Sequence, residues 1–67
     1  MISIVVNGKP RELARPLTVL AFLQENGINP QAVAVELSGE ILRREQFGET
    51  LVGEGAKVEI VRMIGGG

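Results

Sequence analysis

Polar and apolar residues alternate near both ends of the chain. A helical spacing occurs once, between Leu17 and Gly27. At the start, Ile2, Ile4 and Val6 recur at every second position, the period of a half-buried strand. Asn7-Gly8 follows. Both residues accept the positive φ of a tight hairpin turn, so the chain is expected to return over about Lys9 to Ala14. Pro10 has no N–H to give a ladder, which assigns that return strand to a sheet edge.

The segment "RPLTVLAFLQENGINP" reads as the one helix. Thr18 suits the N-cap, and Leu17 and Phe22 have the spacing of a hydrophobic staple around it. Val19, Phe22 and Leu23 form the inward stripe. Leu20 and Ala21 fall off that stripe, which leaves Leu20 as either a second core contact or an exposed apolar residue. Gly27 stands where a left-handed C′ residue belongs, and Asn29-Pro30 ends the helix.

Beyond it, Val33, Val35 and Leu37 alternate with Ala34, Glu36 and Ser38. Ser38-Gly39 is a second tight turn, and Ile41-Leu42 begins a short return strand. Arg43 to Ala56 reads as a connecting segment with a helical turn near Arg44 to Phe47, anchored to the core by Phe47 and Leu51. In "KVEIVRM", Val58 and Ile60 face in, while Lys57, Glu59 and Val61 face out.

The predicted order is strand, strand, helix, strand, short strand, strand. A last strand beside the first completes an α+β β-grasp roll: a mixed four- to five-stranded sheet packed on one helix, with ubiquitin-like topology. Residues 1–62 form the domain, and 63–67 form a flexible C-terminal tail ending in Gly65, Gly66 and Gly67.

Composition narrows the function. The chain has 67 residues, 45% of them hydrophobic, enough for one small core. It has no cysteine and no histidine, which excludes disulfides, thiolate metal sites, iron–sulfur clusters and the usual catalytic triads. The net charge is −1 and there are two aromatic residues, Phe22 and Phe47, so nucleic-acid binding has little support. No apolar run reaches membrane-spanning length. A mature cytoplasmic monomer is the expectation. None of the glycines at turns sits in a phosphate-binding loop with the required Lys and Ser/Thr.

The hairpin "VNGKPREL", the helix start "LTVLAFL", then "VAVELSGEILRREQF", "VEIV" and the terminal "GGG" together resemble the ThiS family across the whole chain. These are small sulfur carriers of thiamine thiazole biosynthesis. The chain departs from the family pattern at Arg43, at Phe47, at Gly55-Ala56 and at Leu20-Ala21.

The resemblance implies a role as a protein cosubstrate rather than an enzyme. An E1-like adenylating enzyme, using ATP and Mg²⁺, would activate the carboxylate of Gly67. Sulfur from a cysteine-desulfurase route would convert it to a thiocarboxylate, which would pass sulfur to thiazole synthase. No cofactor would be bound by the carrier itself. Gly65 and Gly66, lacking Cβ atoms, suit passage through a narrow channel to a nucleotide. Val5, Val61, Arg62, Met63 and Ile64 are the candidate docking residues for partner enzymes. Alternatives are the small subunit of molybdopterin synthase, a β-grasp sulfur carrier for tRNA thiolation or amino-acid biosynthesis, and a β-grasp interaction module with an inert tail.

Overall fold

The computed structural model describes residues 1–63. Two hairpins frame the sheet. Ile2–Val6 (β1) turns through Asn7 and Gly8, at φ 50° and 81°, into Lys9–Leu13 (β2). Val33–Leu37 (β4) turns through Ser38 and Gly39, at φ 48° and 92°, into Glu40–Leu42 (β5). Consecutive left-handed residues match the right-handed twist of the strands they join.

Between the hairpins run Leu17–Thr18 (β3), the helix Val19–Glu25 (α1) and a 3₁₀ turn over Pro30–Ala32. A second 3₁₀ turn over Arg44–Gln46, then Leu51–Val52 (β6) and Lys57–Arg62 (β7), complete the described chain. The main sheet has the order β2-β1-β7-β4-β5, with β7 parallel to β1 and antiparallel to β4. This is the expected β-grasp arrangement. It puts Pro10 on the edge strand and the last strand at the centre.

The helix is held at both ends by local chemistry. Thr18 Oγ1 accepts the Ala21 N–H at 3.0 Å. The two preceding orphan donors, Val19 and Leu20 N–H, go to the carbonyls of Thr50 (2.8 Å) and Phe47 (2.9 Å). At the other end, Gly27 takes φ 68°, its N–H donates to Gln24 C=O, and Ile28 N–H donates to Leu23 C=O. That bond pair is a Schellman cap. Arg11, on β2, lies over the Phe22 ring at 5.4 Å and donates to Asn26 Oδ1, tying the edge strand to the last helical turn.

The core lies between α1 and one sheet face. Val19, Phe22 and Leu23 pack against Ile4, Val33, Val35 and Val58, and Leu42, Phe47 and Val52 close its rim. Each such side chain contributes about 1.5–3 kcal/mol by leaving water. Leu20 is half-buried against this cluster, so it is a second core contact.

One expectation is overturned. Leu51 is 61% exposed, and Val52, fully buried, anchors the connecting segment beside Phe47. The cause is a second, two-stranded sheet in which Leu17 pairs with Val52 and Thr18 with Leu51. Alternation admits one of two neighbours to the core, and the register selects the smaller. The return strand β2 also stops at Leu13 rather than Ala14.

Candidate functional site: the end of the central strand and the open sheet face

The tail leaves from β7, so what holds β7 fixes where it starts. Along β4 the strand is paired through to Arg62, opposite Val33. Met63 N–H then donates to Ala32 C=O at 2.9 Å, in the Pro30–Ala32 turn. Asn29 Oδ1 caps that turn by accepting the Gln31 N–H at 3.0 Å, and Arg44 Nη2 donates to Gln31 C=O at 3.3 Å. "NPQA" therefore does more than end the helix: it seats the last described residue of the chain.

On the other side the pairing with β1 is shorter. It covers Val5↔Lys57 and Val6↔Val58. Asn7 then takes over. Its backbone N–H donates to Val58 C=O at 2.8 Å, and its side-chain Oδ1 accepts the Ile60 N–H at 2.7 Å. The Asn7 amide thus stands where another residue of β1 would otherwise stand.

Alternation about Val58 and Ile60, which face the core, places Lys57, Glu59 and Val61 on the sheet face away from the helix. Their register partners on β4 are Glu36 (opposite Glu59) and Ala34 (opposite Val61). Ile41 on β5 lies opposite Glu36. Ala34, Ile41, Val61, Glu36 and Glu59 line a shallow groove across these three strands. Ile41 is 74% exposed and Val61 62%.

Of the candidate docking residues, the four that are described, Val5, Val61, Arg62 and Met63, do not form one patch. Val61 lies in the groove, and Met63 follows on its side, because the Met63–Ala32 bond continues the ladder. Arg62 has the opposite parity, in register with core residue Val33, and is exposed at the helix-side rim. Val5 shares the open face but lies at the other end. Its neighbour in register is Lys57, four residues and about 13 Å from Val61. Ile64 and the tail residues Gly65, Gly66 and Gly67 lie outside the described residues. The sequence reading did not include Ala34, Glu36, Ile41 and Glu59. Their outward parity was readable, but their neighbourhood depends on register.

Among the described residues there is no cluster of metal-ligating side chains, and no helix is long and apolar enough to cross a membrane.

The family model that matches this chain is that of the ThiS family, over residues 4–67. The chain belongs to the ThiS family. These are sulfur carriers of thiamine biosynthesis. The crystal structure of the thiamine biosynthesis protein ThiS from Geobacter metallireducens superposes with a TM-score of 0.87 at 39% identity, covering 98% of this chain and 100% of that one. A thiazole synthase of Paramagnetospirillum magneticum is 40% identical over 65 residues, 97% of this chain. The chain spans 20% of that protein's length. The ycf40 protein of Porphyra purpurea is 33% identical over 66 residues, 98% of this chain and 93% of that protein. A ThiS-like unit thus occurs both as nearly a whole protein and as one part of a larger one.

Proposed function

We propose that this protein is a sulfur carrier whose working group is the carboxylate of Gly67. The observation that carries the reading is the ThiS-family match, which runs through the terminal glycines to residue 67. The rest is chemistry. A carboxylate is a poor acyl donor. Attack of its oxygen on the α-phosphorus of ATP, held with Mg²⁺ by an E1-like enzyme, expels pyrophosphate and gives an acyl-adenylate. Sulfide then attacks the acyl carbon, AMP leaves, and the product is a thiocarboxylate. Where a cysteine desulfurase delivers sulfur as a persulfide, an acyl disulfide forms first and a thiol reduces it.

The thiocarboxylate hands its sulfur to thiazole synthase. The protein is consumed and regenerated in this cycle, a cosubstrate rather than a catalyst, and the cycle runs in the cytoplasm with its ATP supply. Gly65 and Gly66 let the backbone approach a nucleotide closely. Ordering them costs about 1–2 kcal/mol per residue in each complex, so the folded body must supply docking contacts. The groove at Ile41 and Val61, continued by Met63, is the surface available for this.

Intact mass spectrometry tests the reading. The chain is incubated with an E1-like activating enzyme, ATP, Mg²⁺ and sulfide. The expected product carries one oxygen-to-sulfur exchange, localised to Gly67 by fragmentation, and a chain lacking Gly66 and Gly67 gives none. An unchanged mass, with an enzyme that converts its own carrier, refutes it. Survival of in vivo function after that deletion would instead favour an interaction module with an inert tail.

A further inference from the structure

The chain has three asparagines, and two of them precede glycine: Asn7-Gly8 and Asn26-Gly27. The third, Asn29, precedes Pro30, whose nitrogen has no hydrogen to lose. An asparagine followed by glycine can close on itself. The glycine nitrogen gives up its proton to a base and attacks the asparagine Cγ, with no Cβ on the glycine in the way. The two steps are equivalent in sequence, but the fold treats them differently.

At Asn26-Gly27 every reacting group is tied. Asn26 Nδ2 donates to Phe22 C=O at 2.8 Å, and Oδ1 accepts from Arg11 Nη2. Gly27 N–H, which carries the proton to be lost, donates to Gln24 C=O at 3.1 Å within the helix cap. Asn26 is also half-buried. Asn7 and Gly8, by contrast, are both exposed. Among the described residues, neither Gly8 N–H nor Asn7 Nδ2 makes a hydrogen bond. The proton to be removed and the group to be expelled therefore both face water. The one bond at this side chain runs from Ile60 N–H to Oδ1, at 2.7 Å. It polarises the side-chain carbonyl and stabilises the charge that develops on that oxygen during attack. A Cβ built on Gly8 meets nothing within 4 Å, so the space around the turn is open.

We propose that Asn7 is a site of spontaneous deamidation in the folded protein, while the helix cap protects Asn26 from the same reaction. Hydroxide takes the Gly8 amide proton. The nitrogen bonds to Asn7 Cγ, the Cγ–Nδ2 bond breaks, and ammonia leaves with a proton from water, which restores the hydroxide. The product is a succinimide. Water then opens one of its two carbonyl–nitrogen bonds. Cleavage at Cγ gives aspartate on an unaltered backbone, which keeps an oxygen for Ile60 N–H. Cleavage at the former peptide carbonyl gives isoaspartate, with the main chain running through Cβ and Cγ. This adds a methylene to a tight turn whose ends are set by the Val6↔Lys9 pair. The carboxylate is displaced from Ile60 N–H, and β7 loses that hold beyond Val58.

The test incubates wild-type chain, folded and in denaturing urea, at a series of mildly alkaline pH values. Peptide mapping, with fragmentation that separates aspartate from isoaspartate, reads each site. In urea both steps react at comparable rates. In the folded chain Asn7 reacts about ten- to a hundredfold faster than Asn26, where two more hydrogen bonds must open first. The Asn7 rate rises with pH, as loss of an amide proton requires. The isoaspartyl chain, separated chromatographically, shows faster amide exchange at Ile60, and the aspartyl chain does not. Folded chain in which Asn26 reacts as fast as Asn7 overturns the proposal. So does folded chain in which neither reacts while both react in urea. An isoaspartyl chain with unchanged exchange at Ile60 overturns the stated consequence for β7.

Discussion

Asn7 has two separable roles, and substituting it measures each. It occupies the left-handed region at φ 50°, and its Oδ1 accepts the Ile60 N–H at 2.7 Å. Asn7→Gly keeps the turn and removes the acceptor. Asn7→Ala removes the acceptor and also places a Cβ in the left-handed region. Asn7→Asp keeps both the acceptor and the tolerance for positive φ. The hydrogen bond is worth about 0.5–1.5 kcal/mol net, and left-handed strain on an ordinary residue costs about 1–2 kcal/mol. In a domain of this size 1 kcal/mol moves Tm by about 4–8 °C.

The decisive assay is amide hydrogen exchange at Ile60, because that N–H is the donor. Opening of this bond becomes easier by about two- to tenfold in the Gly and Ala variants and is unchanged in Asp. Thermal unfolding ranks Ala lowest, by about 1.5–3.5 kcal/mol at most, the sum of the two terms. Glycine's ease at positive φ offsets part of its loss, so its Tm falls less. If Ile60 in Asn7→Gly exchanges as slowly as in wild type, the side chain does not extend β1, and the account of how β7 is held beyond Val58 is wrong.

Three further outcomes are expected. Val52→Ala, at a fully buried position, costs about 2–3 kcal/mol in denaturant unfolding, whereas Leu51→Ala, at 61% exposure, stays within about 0.5 kcal/mol; equal costs would contradict the β3–β6 register. Gly27→Ala costs about 1–2 kcal/mol although a Cβ there meets nothing within 4 Å, and Gly27→Asn costs less, so equal Tm values for the two would show that backbone strain is not the cause. Ile41→Ser leaves stability within about 0.5 kcal/mol by urea titration and weakens binding to thiazole synthase, and unchanged affinity would remove Ile41 from the docking surface.

Features set by neighbouring residues were legible in the sequence. Asn7-Gly8 and Ser38-Gly39 specify their turns because the conformation they need is local and rare. Thr18 and Gly27 bound the helix by bonds that reach only three to five residues along the chain. What was missed depends on pairing between distant segments. Leu51 was the expected anchor beside Phe47, yet its smaller neighbour Val52 is the buried one. Pairing with Leu17 decided otherwise, and the carbonyls of Phe47 and Thr50 on the helix N-terminus hold that segment in place.

The same limit shaped the candidate site. Period two gave Glu59 and Val61 an outward side, and gave Ala34 and Glu36 theirs. Only the antiparallel register, with Glu36 opposite Glu59 and Ala34 opposite Val61, makes them one surface. Arg62 drops out of that surface for the same reason that Val61 belongs to it: consecutive residues on a strand face opposite ways. Asn7 on one side and Ala32 on the other hold β7 and Met63, so Met63 stands beside the Ile41–Val61 groove. A partner seated on that groove therefore meets Met63 without any rearrangement of the fold. On the function proposed above, the carrier serves an activating enzyme and then an acceptor, and the geometry common to both complexes is set by the folded body.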